Sequence, residues 1–190
     1  MGKYQICVSG AAKGASVEEG KVLAAELGKA IAEAGHSLMT GATIGLPNYA
    51  AEAYKKAGGT MSMGISPAAS KAEHVMKYHL PIKAYDAILY TGLHYVGRDT
   101  LLITSSDAVV SIGGRLGTLH EFTIAMEAGI PIGFLQGAGG ISDQVQELMT
   151  LAAPLPVDSE VLFNESASEL VKELAAHLDK ENHKYRDLYR

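Results

Sequence analysis

Short apolar runs alternate with stretches of helical periodicity along nearly the whole chain. Seven runs have the length and composition of buried strands, at 4–9, 36–40, 60–65, 87–90, 108–112, 130–135 and 161–164. Helical patterns separate most of them, at 17–34, 47–57, 96–105, 118–128, 142–151 and 166–180, and segment 66–83 has the pattern of a loop with one helical turn. This alternation predicts an α/β fold, a Rossmann-like parallel sheet with helices on both faces.

Length and composition limit the kind of protein. A chain of 190 residues with 47% hydrophobic residues can bury one sizeable core, so we expect a single domain over 1–180 and a charged tail over 181–190. The net charge of -5 argues against a nucleic-acid partner, which would require a basic face. There is no apolar run of membrane-spanning length and no signal-peptide pattern, and the lone cysteine, Cys7, suits a reducing compartment. We therefore expect a cytoplasmic protein without a membrane partner.

The segment Gly-Gly-Arg-Leu-Gly-Thr-Leu-His-Glu, residues 113–121, joins the fifth predicted strand to the helix after it. Glycines allow the backbone to turn tightly and approach a ligand closely. The first amides of a helix lack internal partners and lie at the positive end of the helix dipole, which suits a phosphate. The segment therefore predicts an anion site, with Glu121 expected in the first helical turn.

Four predicted loops lie at the carboxyl ends of the strands, where open parallel sheets bind ligands: 9–16, 41–48, 66–69 and 113–118. Several common site patterns are missing from the sequence. There is no dinucleotide GxGxxG, no GxxxxGK(S/T) phosphate loop, no zinc-type His/Cys cluster and no Gly-x-Ser-x-Gly elbow. We accordingly predict no metal and no resident cofactor.

Arg98 and the GTxxE element formed by Gly117, Thr118 and Glu121 together resemble the LOG family, within the wider group of LOG-like and molybdenum-cofactor-carrier-like Rossmann proteins. Gly114 matches one glycine of that family's PGGxGTxxE motif. Further matching positions occur in the earlier loops, at Ser9, Gly10, Gly41, Gly45 and Pro67. The resemblance extends from residue 4 to about residue 134.

The resemblance implies a nucleotide 5'-monophosphate ligand and a homodimer or larger homo-oligomer. Several LOG-family members are phosphoribohydrolases that cleave the base from AMP-like nucleotides. In that reading Arg98 and Glu121 are catalytic. The ligand is bound by the loop residues Ser9, Gly10, Gly41, Gly45, Pro67, Gly113, Gly114, Arg115, Gly117 and Thr118.

The sequence departs from the LOG pattern in two places, the PGG element and the residue after the upstream arginine. Gly113 stands where the motif has proline and Arg115 where it has the second glycine, and Asp99 replaces the lysine that often follows the upstream arginine. Retention of Arg98 and Glu121 favours the hydrolase. The altered PGG element favours the alternative, a non-catalytic carrier or sensor of a nucleotide-like ligand such as a pterin cofactor or a signalling nucleotide. A third hypothesis is a structural oligomer with a vestigial site.

The proposed chemistry is hydrolysis of an N-glycosidic bond. A carboxylate such as that of Glu121 can stabilise the oxocarbenium character of the ribose or activate water. The planar guanidinium of Arg98 suits either orienting Glu121 or binding ribose or phosphate oxygens. The structural alternatives are a capping box in which Glu121 bonds the Thr118 amide, and an ion pair of Arg98 with Asp99 or Asp107.

Other polar and aromatic side chains are candidates of a weaker kind. Lys13 lies in a strand-exit loop and is either solvated or near a phosphate. His120 is expected to be an exposed helix residue, and His94 is the better candidate ligand of the two. The tyrosines of the middle third are expected either to stack on a base or to bury a dimer interface: they are Tyr78, Tyr85, Tyr90 and Tyr95.

Overall fold

All seven strands lie in one parallel sheet in the computed structural model, which describes residues 4–155 and 160–183. In chain order they are β1 Gln5–Gly10, β2 Ser37–Thr40, β3 Ser62–Ser66, β4 Ala87–Tyr90, β5 Ala108–Ile112, β6 Ile132–Leu135 and β7 Val161–Asn164. The spatial order is β4-β3-β2-β1-β5-β6-β7, and every neighbouring pair is parallel. The predicted α/β Rossmann-like fold is confirmed.

Helices cover both faces of the sheet. They are α1 Ala15–Glu33, α2 Leu46–Lys56, α3 Lys71–Met76, α4 His94–Thr104, α5 Leu116–Glu127, α6 Ile141–Ala152 and α7 Ala167–Asn182. The apolar residues of α1, α2 and α7 belong to one buried cluster, and those of α4, α5 and α6 belong to another. Because strand residues alternate between faces, Ile6 and Val8 of β1 join the first cluster while Cys7 joins the second.

The order of the strands creates a crevice between β1 and β5. The chain builds outward from β1 through β2, β3 and β4, and then returns to place β5 on the other side of β1. Ser9 pairs with Ser111, and Gly10 with Ile112, at the carboxyl ends of these two strands. The loops that leave β1 and β5 turn to opposite faces of the sheet, which opens the crevice where such folds bind ligands.

Most predicted boundaries differ from the structure by one or two residues, and β4, β5 and β7 match in full. Segment 66–83 contains the six-residue helix α3, capped by the side chain of Ser70. Helix α7 continues to Asn182, and residues 184–190 lie outside the described part of the chain, so the charged tail over 181–190 stays a prediction. The single domain over 1–180 stays a prediction.

Candidate functional site

A cavity of about 280 Å³ opens at the carboxyl ends of β1, β2 and β5. This volume is near the lower end of the range for small-molecule sites, about 300–1,000 Å³. Its walls come from the loop after β1, the loop after β2, and the starts of α4 and α5. The lining residues are Val8, Ser9, Gly10, Ala11, Ala12, Lys13, Gly41, Thr43, Pro47, Tyr95, Arg98, Asp99, Arg115, Gly117, Thr118 and Glu121.

Eight of the twelve residues singled out from the sequence line this cavity: Ser9, Gly10, Gly41, Arg98, Arg115, Gly117, Thr118 and Glu121. Four do not, namely Gly45, Pro67, Gly113 and Gly114. These four residues shape the cavity wall or lie outside it, and their contact with a ligand stays a prediction. That the eight lining residues bind a ligand stays a prediction.

Gly113 and Gly114 shape the loop before α5. Both have positive φ angles, 61° and 93°, which favour glycine. Their carbonyl oxygens face the start of α6: Ser142 Oγ donates to Gly113 O at 2.8 Å, and the Ile141 amide donates to Gly114 O at 3.0 Å. A Cβ on Gly114 would overlap the Thr118 side chain. These two glycines therefore hold the loop against α6 and leave room for Thr118.

Gly45 and Pro67 lie behind the wall for different reasons. Gly45 precedes α2 with a φ angle of 81°, and a Cβ there would overlap the Ala11 carbonyl oxygen. Its role is close packing of the β2 exit against the β1 exit. Pro67 is buried after β3, and its carbonyl oxygen accepts a bond from the His94 amide at 3.0 Å.

The start of α5 offers unused backbone donors. Arg115 is the N-cap residue and makes no side-chain cap bond. None of the hydrogen bonds in the described residues uses the amides of Leu116, Gly117 or Thr118, and the first helical bond is from the Leu119 amide to Arg115 O. Free amides at a helix N-terminus, beside the Thr118 hydroxyl, form an arrangement that can bind a phosphate.

Glu121 lies one turn deeper than predicted. It is the sixth residue of α5, so the expected position in the first turn and the capping-box alternative are both wrong. Its side chain is buried, and Oε2 accepts a hydrogen bond from the Ser9 hydroxyl across the β1–β5 crevice. Burial, and then the nearby Asp99 carboxylate, raise the pKa of Glu121 to about 7. This carboxyl can therefore exchange a proton near neutral pH.

Arg98 lies on the backbone of the β2 exit. A Cβ on Gly41 would overlap its Nη1 atom, so glycine at this position lets the guanidinium approach the main chain. Nη1 donates to Ile65 O at 3.1 Å, and the side chain is 3% exposed. The guanidinium thus joins the ends of β2 and β3 to α4.

The acidic partner of Arg98 is its neighbour in sequence. Arg98 Nε lies 3.1 Å from Asp99 Oδ1, a contact that has ion-pair distance without hydrogen-bond geometry. The other sequence candidate, Asp107, instead accepts from the Gln5 amide at 2.7 Å. Among the described residues, no hydrogen bond joins Arg98 to Glu121, so the predicted orienting contact is not formed.

Asp99 lines the cavity, although the sequence did not predict it as a site residue. Its Oδ2 lies 3.0 Å from His120 Nδ1, and its side chain is buried. Burial raises the pKa of Asp99 against the opposing effect of Arg98. One feature of the sequence could have indicated this role: Asp99 stands directly after Arg98, where the LOG pattern often has a lysine.

The rim of the cavity is basic and aromatic. Lys13 and Arg115 are exposed and line the mouth. The Tyr95 ring lies over the Arg98 guanidinium, with its centroid 5.9 Å from Cζ, and the ring is 45% exposed. Tyr95 thus offers a flat surface beside the cavity, to which a heterocycle can stack.

The other candidate aromatic and histidine residues lie away from the cavity. Tyr78 packs edge-on against Tyr95 at 5.7 Å and shares a 2.8 Å hydrogen bond with His94 Nδ1. The Tyr85 hydroxyl lies 2.8 Å from Thr40 Oγ1, and the Tyr90 ring packs against His74. Tyr95 is therefore the one tyrosine of the four in the lining.

A model of the SLOG cluster4 family matches residues 3–171, and these residues make up most of the chain. The chain belongs to this family. An X-ray structure of a protein called TM1055 superposes with a TM-score of 0.79 at 25% identity, covering 91% of this chain and 99% of the other. Family and fold therefore agree with the LOG-like Rossmann group that the sequence motifs predicted.

Two similar solved structures are of proteins named for the molybdenum cofactor. The molybdenum cofactor binding protein of Rippkaea orientalis has a TM-score of 0.73 and 27% identity, covering 94% of this SLOG chain and 99% of its own. The molybdenum cofactor carrier protein of Chlamydomonas reinhardtii has a TM-score of 0.71 and 32% identity, covering 92% and 99%. Each is a likeness over almost the full length of the protein compared.

Two further observations concern the described part of the SLOG chain. Residues 4–155 and 160–183 contain no helix long and apolar enough to cross a bilayer. In the same residues, no three His, Cys, Asp or Glu side chains are grouped so that they could bind a metal ion.

Proposed function

We propose that this protein is a non-catalytic carrier of a phosphate-bearing, nucleotide-like ligand of the pterin type. The observation that carries the proposal is the separation of Arg98 from Glu121, because the pair that would perform hydrolysis makes its bonds elsewhere. The likeness to a molybdenum cofactor carrier and a molybdenum cofactor binding protein, over 99% of each, supports the same conclusion.

The ligand's phosphate would bind at the start of α5. The unused amides of Leu116, Gly117 and Thr118 and the Thr118 hydroxyl supply donors, and the exposed Lys13 and Arg115 add positive charge at the mouth. The heterocycle would then lie toward the Tyr95 ring, which is half exposed beside the cavity. The homodimer implied by the LOG resemblance stays a prediction.

The carrier and the hydrolase differ in what Arg98 must do. A hydrolase needs a cation to bind substrate oxygens or to orient the acid. Here Arg98 is 3% exposed, with one nitrogen bonded to Ile65 O and another beside Asp99. A carrier needs only a shaped, polar cavity that retains its ligand, and these contacts fit that requirement.

Phosphoribohydrolysis is the second candidate function, and the observation that favours it is the state of Glu121. A cavity-lining carboxyl with a pKa of about 7 is suited to general acid or base catalysis. The Ser9 hydroxyl already orients one of its oxygens.

One set of measurements tests both candidates. We expect the protein to bind molybdenum cofactor released from a molybdenum enzyme, or a nucleotide monophosphate, without consuming it. Thr118→Val should weaken binding about tenfold, because it removes a hydroxyl that donates to a charged group. Thr123→Val is the matched control, since Thr123 is an exposed residue of the same helix whose hydroxyl bonds His120 O.

The contradicting outcome is catalytic. Incubation with AMP and N6-substituted AMPs should release no base above the level of Glu121→Gln. Multiple-turnover release by the unsubstituted protein, abolished by Glu121→Gln, would replace the carrier with the hydrolase. Failure of all these ligands to bind would contradict both.

A further inference from the structure

Charge is divided unevenly along the wall of the cavity. The two cations at the mouth, Lys13 and Arg115, are exposed to solvent. The inner wall carries one buried cation, Arg98, and two buried carboxyls, Asp99 and Glu121. An anion that enters this space meets more negative than positive charge whenever both carboxyls are ionised.

The one inner cation is already engaged. Asp99 Oδ1 lies 3.1 Å from Arg98 Nε, and Ile65 O accepts a hydrogen bond from Nη1. Where the LOG pattern often has a second cation, Asp99 supplies a negative charge, and His120 holds its other oxygen. Asp99 therefore offsets the charge that Arg98 would otherwise present to a ligand.

Glu121 has no cation in direct contact among the described residues. The Ser9 hydroxyl bonds Oε2, and Oε1 has no hydrogen-bond partner in the described part of the chain. The charged and titratable groups around it come from three elements: Cys7 of β1, Arg98 and Asp99 of α4, and His120 of α5.

We propose that the cavity binds its anionic ligand together with a proton, which Glu121 takes up, and that Asp99 imposes this requirement by neutralising Arg98. The inference rests on the proposed function in one respect, that the ligand carries a phosphate or similar anion. Protonation removes the charge that would repel the anion. It also turns Glu121 into a donor, because a protonated carboxyl has one O–H that can bond a ligand oxygen.

The proton balance of the binding step is simple. Ionised Glu121 gains one proton from solvent, the anion enters, and no covalent bond of the ligand changes. The pKa of Glu121, about 7 in the free protein, means that the step costs little at neutral pH and more as the solution becomes alkaline. Affinity for a dianion should consequently fall as the pH rises above 7.

Inorganic sulfate is the probe for this inference, because it remains a dianion across the pH range of interest whereas a phosphate monoester titrates near pH 6. Its binding is followed by the NMR shifts of the Gly117 and Thr118 amides. The carboxyl of Glu121 is followed by ¹³C NMR, assigned with Glu121→Gln. In the unsubstituted protein, saturating sulfate should raise the pKa of Glu121, and sulfate affinity should fall about tenfold from pH 7 to pH 8.5.

Two variants separate the roles of the carboxyls. Glu121→Gln should bind sulfate with little dependence on pH between 7 and 8.5, since a neutral amide replaces the titrating group. Asp99→Asn should bind sulfate about tenfold more tightly at pH 8.5 and should lower the pKa of Glu121. Glu127→Gln, at an exposed position near the end of the same helix, should behave as the unsubstituted protein.

The contradicting outcomes are equally definite. A pKa of Glu121 that does not rise in sulfate, or a pH dependence that survives in Glu121→Gln, would overturn the inference. Absence of sulfate binding would overturn it as well. Proton-coupled sulfate binding without binding of any pterin or nucleotide would instead contradict the proposed function and leave this inference standing.

Discussion

Arg98 and Glu121 illustrate how far a residue's neighbours decide its role. Both were recognisable from the sequence, because their spacing matches the GTxxE element and its upstream arginine. Of their partners, the sequence offered only Asp99, and that as one of two candidates with Asp107. Ile65 O and Asp99 engage the guanidinium, and Ser9 bonds the carboxyl, so the two residues line one cavity without contacting each other through a hydrogen bond.

Gly41→Ala tests the approach of Arg98 to the main chain. The added Cβ would overlap Nη1, so the guanidinium must move from the β2 exit and lose its bond to Ile65 O. We expect a loss of unfolding free energy of about 1–3 kcal/mol, typical of overpacking at a buried position. Chemical denaturation measures it.

Gly117→Ala is the control for this substitution. Nothing lies within 4 Å of a Cβ at Gly117, which is the second residue of α5. Alanine there should leave stability unchanged or raise it by up to about 1 kcal/mol, the difference in helix propensity. Equal losses in the two variants would mean that the Arg98 contact is not what Gly41 protects.

At the scale of elements, the loop before α5 depends on a helix distant from it in sequence. Periodicity and glycine content predicted β5, α5 and the turn between them. They did not predict that the start of α6 bonds both glycine carbonyls of the loop. That contact arises because β6 pairs beside β5 and brings the next helix to the same edge. A non-local pairing of this kind leaves no local pattern in the sequence.

Ser142→Ala tests this contact between elements. Ser142 is fully buried, donates to Gly113 O at 2.8 Å and lies 3.1 Å from Ser111 Oγ. Removal of the hydroxyl should cost about 1–3 kcal/mol, because it leaves buried polar groups without a partner. Thermal or chemical unfolding measures the loss, and sulfate binding at the α5 amides should weaken with it.

Thr150→Ala, in the exposed last part of α6, is the matched control. Its hydroxyl bonds Gln146 O within the helix, and we expect a change within about 0.5 kcal/mol. If Ser142→Ala proved as mild as Thr150→Ala, the loop before α5 would not depend on α6 for its shape.

At the scale of the whole molecule, the sheet order brings distant segments together at one point. Ser9 and Glu121 are 112 positions apart in sequence and share a buried hydrogen bond across the crevice. The same packing buries Glu121, which makes the stability of the entire fold depend on the charge of one carboxyl. The membership of the SLOG cluster4 family and the full-length likeness to molybdenum cofactor carriers belong to this scale too.

Glu121→Gln should change how global stability depends on pH. The folded-state pKa of about 7 lies above the ordinary value of 4.5, so the folded protein retains the proton longer than the unfolded chain. Stability from this group is present below pH 4.5 and is lost as the pH rises through 7. Chemical denaturation at each pH gives the difference in unfolding free energy between the variant and the unsubstituted protein. Between pH 4 and pH 8 this difference should shift by roughly 3 kcal/mol in favour of the variant.

Glu127→Gln provides the comparison, because Glu127 is exposed on the same helix. Its difference from the unsubstituted protein should stay constant between pH 4 and pH 8. A flat difference for Glu121→Gln as well would contradict the raised pKa of the buried carboxyl.

The sequence by itself determined which segments become strands and helices, and which polar residues lie near the carboxyl edge of the sheet. These are local properties, set by side-chain periodicity and by the backbone freedom of glycine. Only the tertiary structure decided that Arg98 lies beside Asp99 rather than Asp107, that Ser9 bonds Glu121 and that α6 bonds Gly113 and Gly114. The physical reason is that the pKa of a carboxyl and the partner of a guanidinium depend on burial and on charges within a few ångströms, which distant segments supply when the strands pair.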